Sequence, residues 1–107
     1  MIDKVSKVAI LSKIQYMEIR HYIILGKVQG VGYRYYTEDI AKSSRIRGWV
    51  KNQPDGSVEC LAAGQPADLE MFEKKIRKGP PLSRVVNMER KILVEGEIDI
   101  PENFSVL

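Results

Sequence analysis

Between residues 26 and 34 the chain reads Gly-Lys-Val-Gln-Gly-Val-Gly-Tyr-Arg, and this stretch holds groups suited to chemistry on an anion. An apolar, strand-like segment enters the glycines, and a helical period leaves them. The first N–H groups of a helix have no intrahelical partner, and the helix dipole adds partial positive charge at that end. Together they form a ready anion site. Gly30 and Gly32 lack Cβ atoms, so the loop can curl and its backbone can approach an oxyanion. Arg34 falls within the first helical turn and can add a bidentate guanidinium contact to phosphate. The same pattern also describes an ordinary glycine turn with Arg34 on a solvated face. The loop is neither a Walker A sequence, since it lacks the Gly-Lys-Ser/Thr end, nor a dinucleotide fingerprint, since its glycines are wrongly spaced.

Few other residues offer chemistry. His21 is the sole histidine and Cys60 the sole cysteine, so neither a Cys/His zinc site nor an intrachain disulfide is expected. Cys60 alternates with Val58 and Ala62, which reads as a core thiol. His21, at the start of a strand, reads as structural or exposed. Trp49 is expected in the core, and Asp55 in turn chemistry. Lys27, Arg45, Arg47 and Lys51 either ring the loop with positive charge or cap solvated strand ends.

The elements that must position these groups follow from periodicity. Ile19–Lys27 reads as a strand, and its run Tyr22-Ile23-Ile24-Leu25 as a central one covered on both faces. From Tyr33 the period becomes helical: Tyr33, Tyr36, Ile40 and Ala41 share one face, with Thr37, Glu38, Asp39, Lys42 and Ser43 opposite. Residues 46–52 and 57–63 form a hairpin about Gln53-Pro54-Asp55-Gly56. Pro66 opens a second helix, with Leu69, Phe72, Glu73 and Ile76 on one face, and Gly79-Pro80-Pro81 stops it. Val85–Val94 is a fourth strand, and Phe104–Val106 a short edge strand. The order β-α-β-β-α-β is that of a ferredoxin-like α+β sandwich, an antiparallel sheet with two helices on one face, here with a short extra C-terminal strand.

A chain of 107 residues supports one domain. Residues 1–18 are expected to be an N-terminal extension and 19–107 the domain, with Met17 a possible alternative start. The net charge of +3 and pI near 9.0 favour anionic partners, but fit a mildly basic solvated surface equally well. No apolar run approaches the ~20 residues of a membrane span, and Val8–Leu11 is too short for a signal-peptide core. A cytoplasmic protein without membrane partners is expected.

The stretch Gly26–Arg34, taken with Gly48-Trp49-Val50-Lys51-Asn52 and Asp55-Gly56-Ser57-Val58-Glu59, resembles the acylphosphatase family. Gly26 to Arg34 matches that family's Gly-x-Val-Gln-Gly-Val-x-Phe-Arg motif, with Tyr33 in place of Phe. Gly48-Trp49-Val50-Lys51-Asn52, then Asp55-Gly56-Ser57-Val58-Glu59, match its second motif. The resemblance covers roughly residues 19–107 and implies metal-independent hydrolysis of carboxyl–phosphate anhydrides without a cofactor. By the same resemblance, Gln29, Gly30, Val31, Gly32, Tyr33 and Arg34 form the phosphate-binding loop. Arg34 is the phosphate-binding arginine, and Asn52 positions the attacking water. A small acyl phosphate is the implied substrate, inorganic phosphate the product and inhibitor, and a monomer the expected state. Two departures stand out: Tyr33, whose ring is expected to pack under the loop with its oxygen reaching an edge, and Gln53, where some relatives have Thr and which bears on the water's surroundings.

Two other readings compete. An RNA-binding domain on the same fold would need stacking aromatics in its third strand, and Ser57-Val58-Glu59-Cys60-Leu61 has none, so no nucleic-acid partner is expected. A non-catalytic phosphate-binding or accessory module would keep the loop without the reaction.

Overall fold

The computed structural model describes residues 17–94, 96 and 98–107. The expected extension lies outside the described residues except for Met17 and Glu18, and Glu18 already belongs to the first strand. The elements run β1 Glu18–Lys27, α1 Tyr33–Ser43, β2 Arg47–Asn52, β3 Val58–Gly64, α2 Pro66–Lys78, β4 Arg84–Leu93 and β5 Phe104–Val106. They form one sheet in the order β4-β1-β3-β2-β5. β1 pairs antiparallel with β3 and β4, and β2 antiparallel with β3, while β5 joins β2 in parallel.

Alternation along the strands sends Tyr22 and Ile24, Val50, Val58, Cys60, Ala62 and Met88 toward the helices. There they meet Tyr33 and Ala41 of α1 and Leu69, Phe72 and Ile76 of α2. Each fully buried large apolar side chain contributes about 1.5–3 kcal/mol. α2 starts with Pro66 in its first turn and ends where Gly79, at φ 71°, donates its N–H to Lys75 O.

The other sheet face is covered only in part. Ile19, Leu61 and Ala63 are buried there beneath Trp49, Leu93, Ile98 and Ile100. Arg47 fastens the chain after β4 to this face by donating to Ile100 O and Pro101 O at 3.1 and 3.0 Å. Two expectations change as a result. Ile23 and Leu25 are half-buried, so the run from Tyr22 to Leu25 is fully covered on its helix face alone, although Ile19 earlier in β1 is buried on the other face. Trp49 is half-buried in this second cluster, with Lys51 Nζ 5.4 Å from its ring centroid.

Thr37, expected on the polar face of α1, is fully buried. Its Oγ1 donates to Tyr33 O at 2.8 Å, so the hydroxyl is satisfied one turn back and its burial leaves no polar group unpaired.

Candidate active site

The loop leaving β1 turns into α1 through two left-handed residues, Gly30 at φ 73° and Gly32 at φ 79°. A Cβ at either would meet no atom within 4 Å, so glycine is required by backbone conformation and not by space. Gly32 is the N-cap of α1, and the first helical bond runs from Tyr36 N–H to Gly32 O at 3.0 Å. The N–H groups of Tyr33, Arg34 and Tyr35 therefore precede the helical ladder. Gly32 has no side chain to cap them, and the first turn carries no acidic residue to offset the positive end of the dipole.

Arg34 extends from this turn, and its Nη1 donates to Leu107 O at 2.9 Å. The Leu107 N–H in turn donates to Val50 O at 2.8 Å, prolonging the β5–β2 pairing toward Asn52. Asn52 is the last residue of β2 and is exposed. On the other side of that strand end, Gln29 Nε2 donates to Gln53 O and Ser57 O, each at 2.8 Å. The structure thus brings the loop residues Gln29 to Arg34 and Asn52 to one rim of the sheet.

The β2–β3 turn is stiffened by its own bonds. Asp55 Oδ1 accepts from Ser57 N–H at 2.9 Å and Ser57 Oγ at 2.6 Å, and these bonds hold the exposed carboxyl below its ordinary pKa. Asp55 acts in turn chemistry, as its sequence context indicates. Gln53 Nε2 donates to Glu59 Oε1 at 2.6 Å, and Glu59 Oε2 lies 2.7 Å from His21 Nε2. Gln53 therefore reaches Glu59, and His21 is a structural partner of that carboxylate.

The Tyr33 ring is buried, and only its hydroxyl differs from expectation, donating to Ile76 O at 2.7 Å instead of reaching an edge. Burial pushes its pKa well above the ordinary tyrosine value. Ile76 belongs to the last turn of α2, where carbonyls lack helical partners, so the hydroxyl satisfies one of them. The Tyr36 hydroxyl adds a second bond to Lys75 O at 2.8 Å, an oxygen that already accepts from Gly79 N–H.

The expected ring of positive charge is not complete. Arg47 starts β2 and lies roughly 16 Å along the strand from Asn52. Arg45 lies beyond the far end of α1, about 16 Å along the helix from the loop. Lys27 is at the loop end of β1, while Lys51, next to Asn52, faces the opposite side of the sheet with Trp49 and Glu59. Cys60 is fully buried, and burial raises its thiol pKa, as expected of a core cysteine. The contribution of Leu107 was not legible, because a main-chain oxygen can belong to any residue.

The fold and this rim define a ferredoxin-like α+β domain whose glycine-bearing first loop, helix N-terminus and arginine can receive an anion. A family model described as Acylphosphatase matches residues 20–105. An acylphosphatase of Archaeoglobus fulgidus is 42% identical over 83 residues, which are 78% of this chain and 90% of that one. The crystal structure of acylphosphatase from Bacillus subtilis superposes with a TM-score of 0.76 at 35% identity, covering 86% of this chain and 99% of that chain. A HypF of T. kodakarensis matches with a TM-score of 0.72 at 31% identity over 84% of this chain but only 12% of its own. The chain belongs to the acylphosphatase family.

Proposed function

We propose that the chain hydrolyses small acyl phosphates without a metal, with the Gln29–Arg34 loop holding the phosphoryl group and Asn52 holding the attacking water. As an acylphosphatase it is a hydrolase acting on carboxyl–phosphate anhydrides. The observation that carries the division of labour is the shared rim: an uncapped helix N-terminus and Arg34 on one side, and Asn52 at the adjoining strand end.

Phosphoryl transfer asks mainly for positioning and for stabilisation of charge on the equatorial oxygens. The N–H groups around Gly30 to Arg34 and the guanidinium supply that charge stabilisation. The Asn52 amide offers both a donor and an acceptor, so it can hold a water in line with phosphorus. The water oxygen bonds to phosphorus as the phosphorus–acyl oxygen bond breaks. The carboxylate leaves with the electron pair, and one water proton passes to a phosphoryl oxygen. Carboxylate is a good leaving group, so no strong general acid is required. The single cysteine, Cys60, is buried and free, which suits the reducing cytoplasm in which the enzyme is proposed to act.

The test is initial-rate hydrolysis of a generic acyl phosphate. Inorganic phosphate should inhibit competitively, and the rate should survive chelation, since among the described residues no three His, Cys, Asp or Glu side chains converge on a metal position. Non-competitive inhibition, or activity lost in EDTA and restored by a divalent cation, contradicts the proposal.

A further inference from the structure

The two halves of the site arise from strands that do not touch. The loop follows β1 and Asn52 ends β2, but β3 lies between these strands, so no ladder of hydrogen bonds fixes one against the other. Gln29 spans that gap. Its amide nitrogen donates to Gln53 O and Ser57 O, both at 2.8 Å, gripping the turn directly after Asn52. Both partners are carbonyl oxygens, so only the NH2 side of the amide can face them, and its two hydrogens match the two acceptors. Each oxygen already accepts a main-chain bond, Gln53 O from Gly56 N–H and Ser57 O from Gln53 N–H, and each uses its second lone pair for Gln29. The grip therefore adds to the hairpin without competing with it. Glu59 and His21 brace the Gln53 side chain from the opposite face of the sheet.

We propose that Gln29 is a positioning residue for hydrolysis: its side-chain amide sets the distance and angle between the phosphoryl cradle and the water held by Asn52. This rests on the reading of Arg34 and Asn52 given above. In-line attack is sensitive to such placement, since a shift of about 1 Å can lower a rate ~10²-fold. The cradle itself is built from main-chain N–H groups and Arg34, so loss of the Gln29 amide leaves ground-state phosphate contacts in place. Gln29 therefore acts on turnover and not on phosphate binding.

The test is steady-state kinetics of Gln29→Met and Gln29→Glu, both of similar length and without the NH2 group, made alone and together with Asn52→Ala. With Asn52 present, kcat should fall ~10- to 100-fold while competitive inhibition by inorganic phosphate changes less than about twofold. In the Asn52→Ala background the same substitutions should change kcat by no more than about twofold, because the alignment they disturb no longer serves a reaction. Unchanged kcat in both single variants overturns the inference, as does an equal fall in both backgrounds or a loss of phosphate inhibition. Failure of both variants to fold, seen by circular dichroism, would make Gln29 a folding residue and also overturn it. An Asn52→Ala enzyme with wild-type kcat would instead defeat the underlying assignment of Asn52, whatever Gln29 does.

Discussion

The two ends of the β1 strand treat charge in opposite ways. At the far end, Arg20 is almost fully buried and is met by Glu18, Glu70 at 2.6 Å and Glu73 at 3.1 Å. Glu73 also accepts from the Tyr22 hydroxyl at 2.9 Å and from Arg90. Burial alone would lower the Arg20 pKa, but its bonds to Glu70 and Glu18 raise it instead. At the loop end, the helix N-terminus has no side-chain cap, and Arg34 meets one main-chain oxygen. One end satisfies its charges within the fold, whereas the other leaves donors facing outward. On the function proposed above, stability and anion chemistry rest on separate groups, and each should be removable without the other.

The sharpest contrast is between the two arginines. Arg34→Ala should lower kcat ~10³-fold or more and weaken phosphate inhibition, while thermal melting moves little. Arg20→Ala should do the reverse. It removes a buried guanidinium from three partly or largely exposed carboxylates, Glu18, Glu70 and Glu73, and should destabilise the fold by about 1–3 kcal/mol, with near wild-type kcat at temperatures well below its melting point. Denaturant titration and initial rates on the two variants decide the matter, and a variant that loses both properties together would break the contrast.

Tyr33 bridges the two regimes, because a loop residue is anchored by a buried hydroxyl. Tyr33→Phe leaves Ile76 O without that donor and should cost about 1–3 kcal/mol by denaturant titration. Phosphate inhibition should persist, since the N–H cradle does not use the hydroxyl.

The smallest effect concerns acid. Burial opposes ionisation of Glu73, yet the Tyr22 hydroxyl, Arg90 and Arg20 prevail and hold its pKa below the ordinary value. The unfolded chain then takes up this proton first as pH falls. The contribution is complete above the ordinary glutamate pKa of about 4.3 and is lost as pH drops through the folded value. Glu73→Gln should flatten the acid limb of a melting-temperature profile, and an unchanged limb would show that Glu73 carries none of it.

The loop, the helix starting at Tyr33 and the hairpin carrying Asn52 were legible because each is fixed by local rules: left-handed glycines, a change of period, and a Pro-Asp-Gly turn. Periodicity shows which residues share a face, but not what covers that face. The strand period puts Trp49 on a face without telling which core it joins, and it joins the second cluster, covering Ile19, Leu61 and Ala63 together with Ile98 and Ile100 from the chain after β4. Polarity misled at Thr37, whose hydroxyl finds its partner one turn back and so tolerates burial. Arg45 and Arg47 look near the site in sequence but lie a whole element away from it. The grip of Gln29 on Gln53 and Ser57 was hidden because it ends on main-chain oxygens, which carry no signature of residue type.

If phosphate binding and water positioning lie on different residues, kcat and the phosphate inhibition constant of Asn52→Ala, measured in one initial-rate series on folded protein, will part company. Losing one oriented contact made chiefly in the transition state should lower kcat by ~10²–10³, about 2.7–4 kcal/mol, with phosphate inhibition nearly intact. A folded Asn52→Ala enzyme that keeps near wild-type kcat, or loses phosphate inhibition in step with turnover, contradicts that separation.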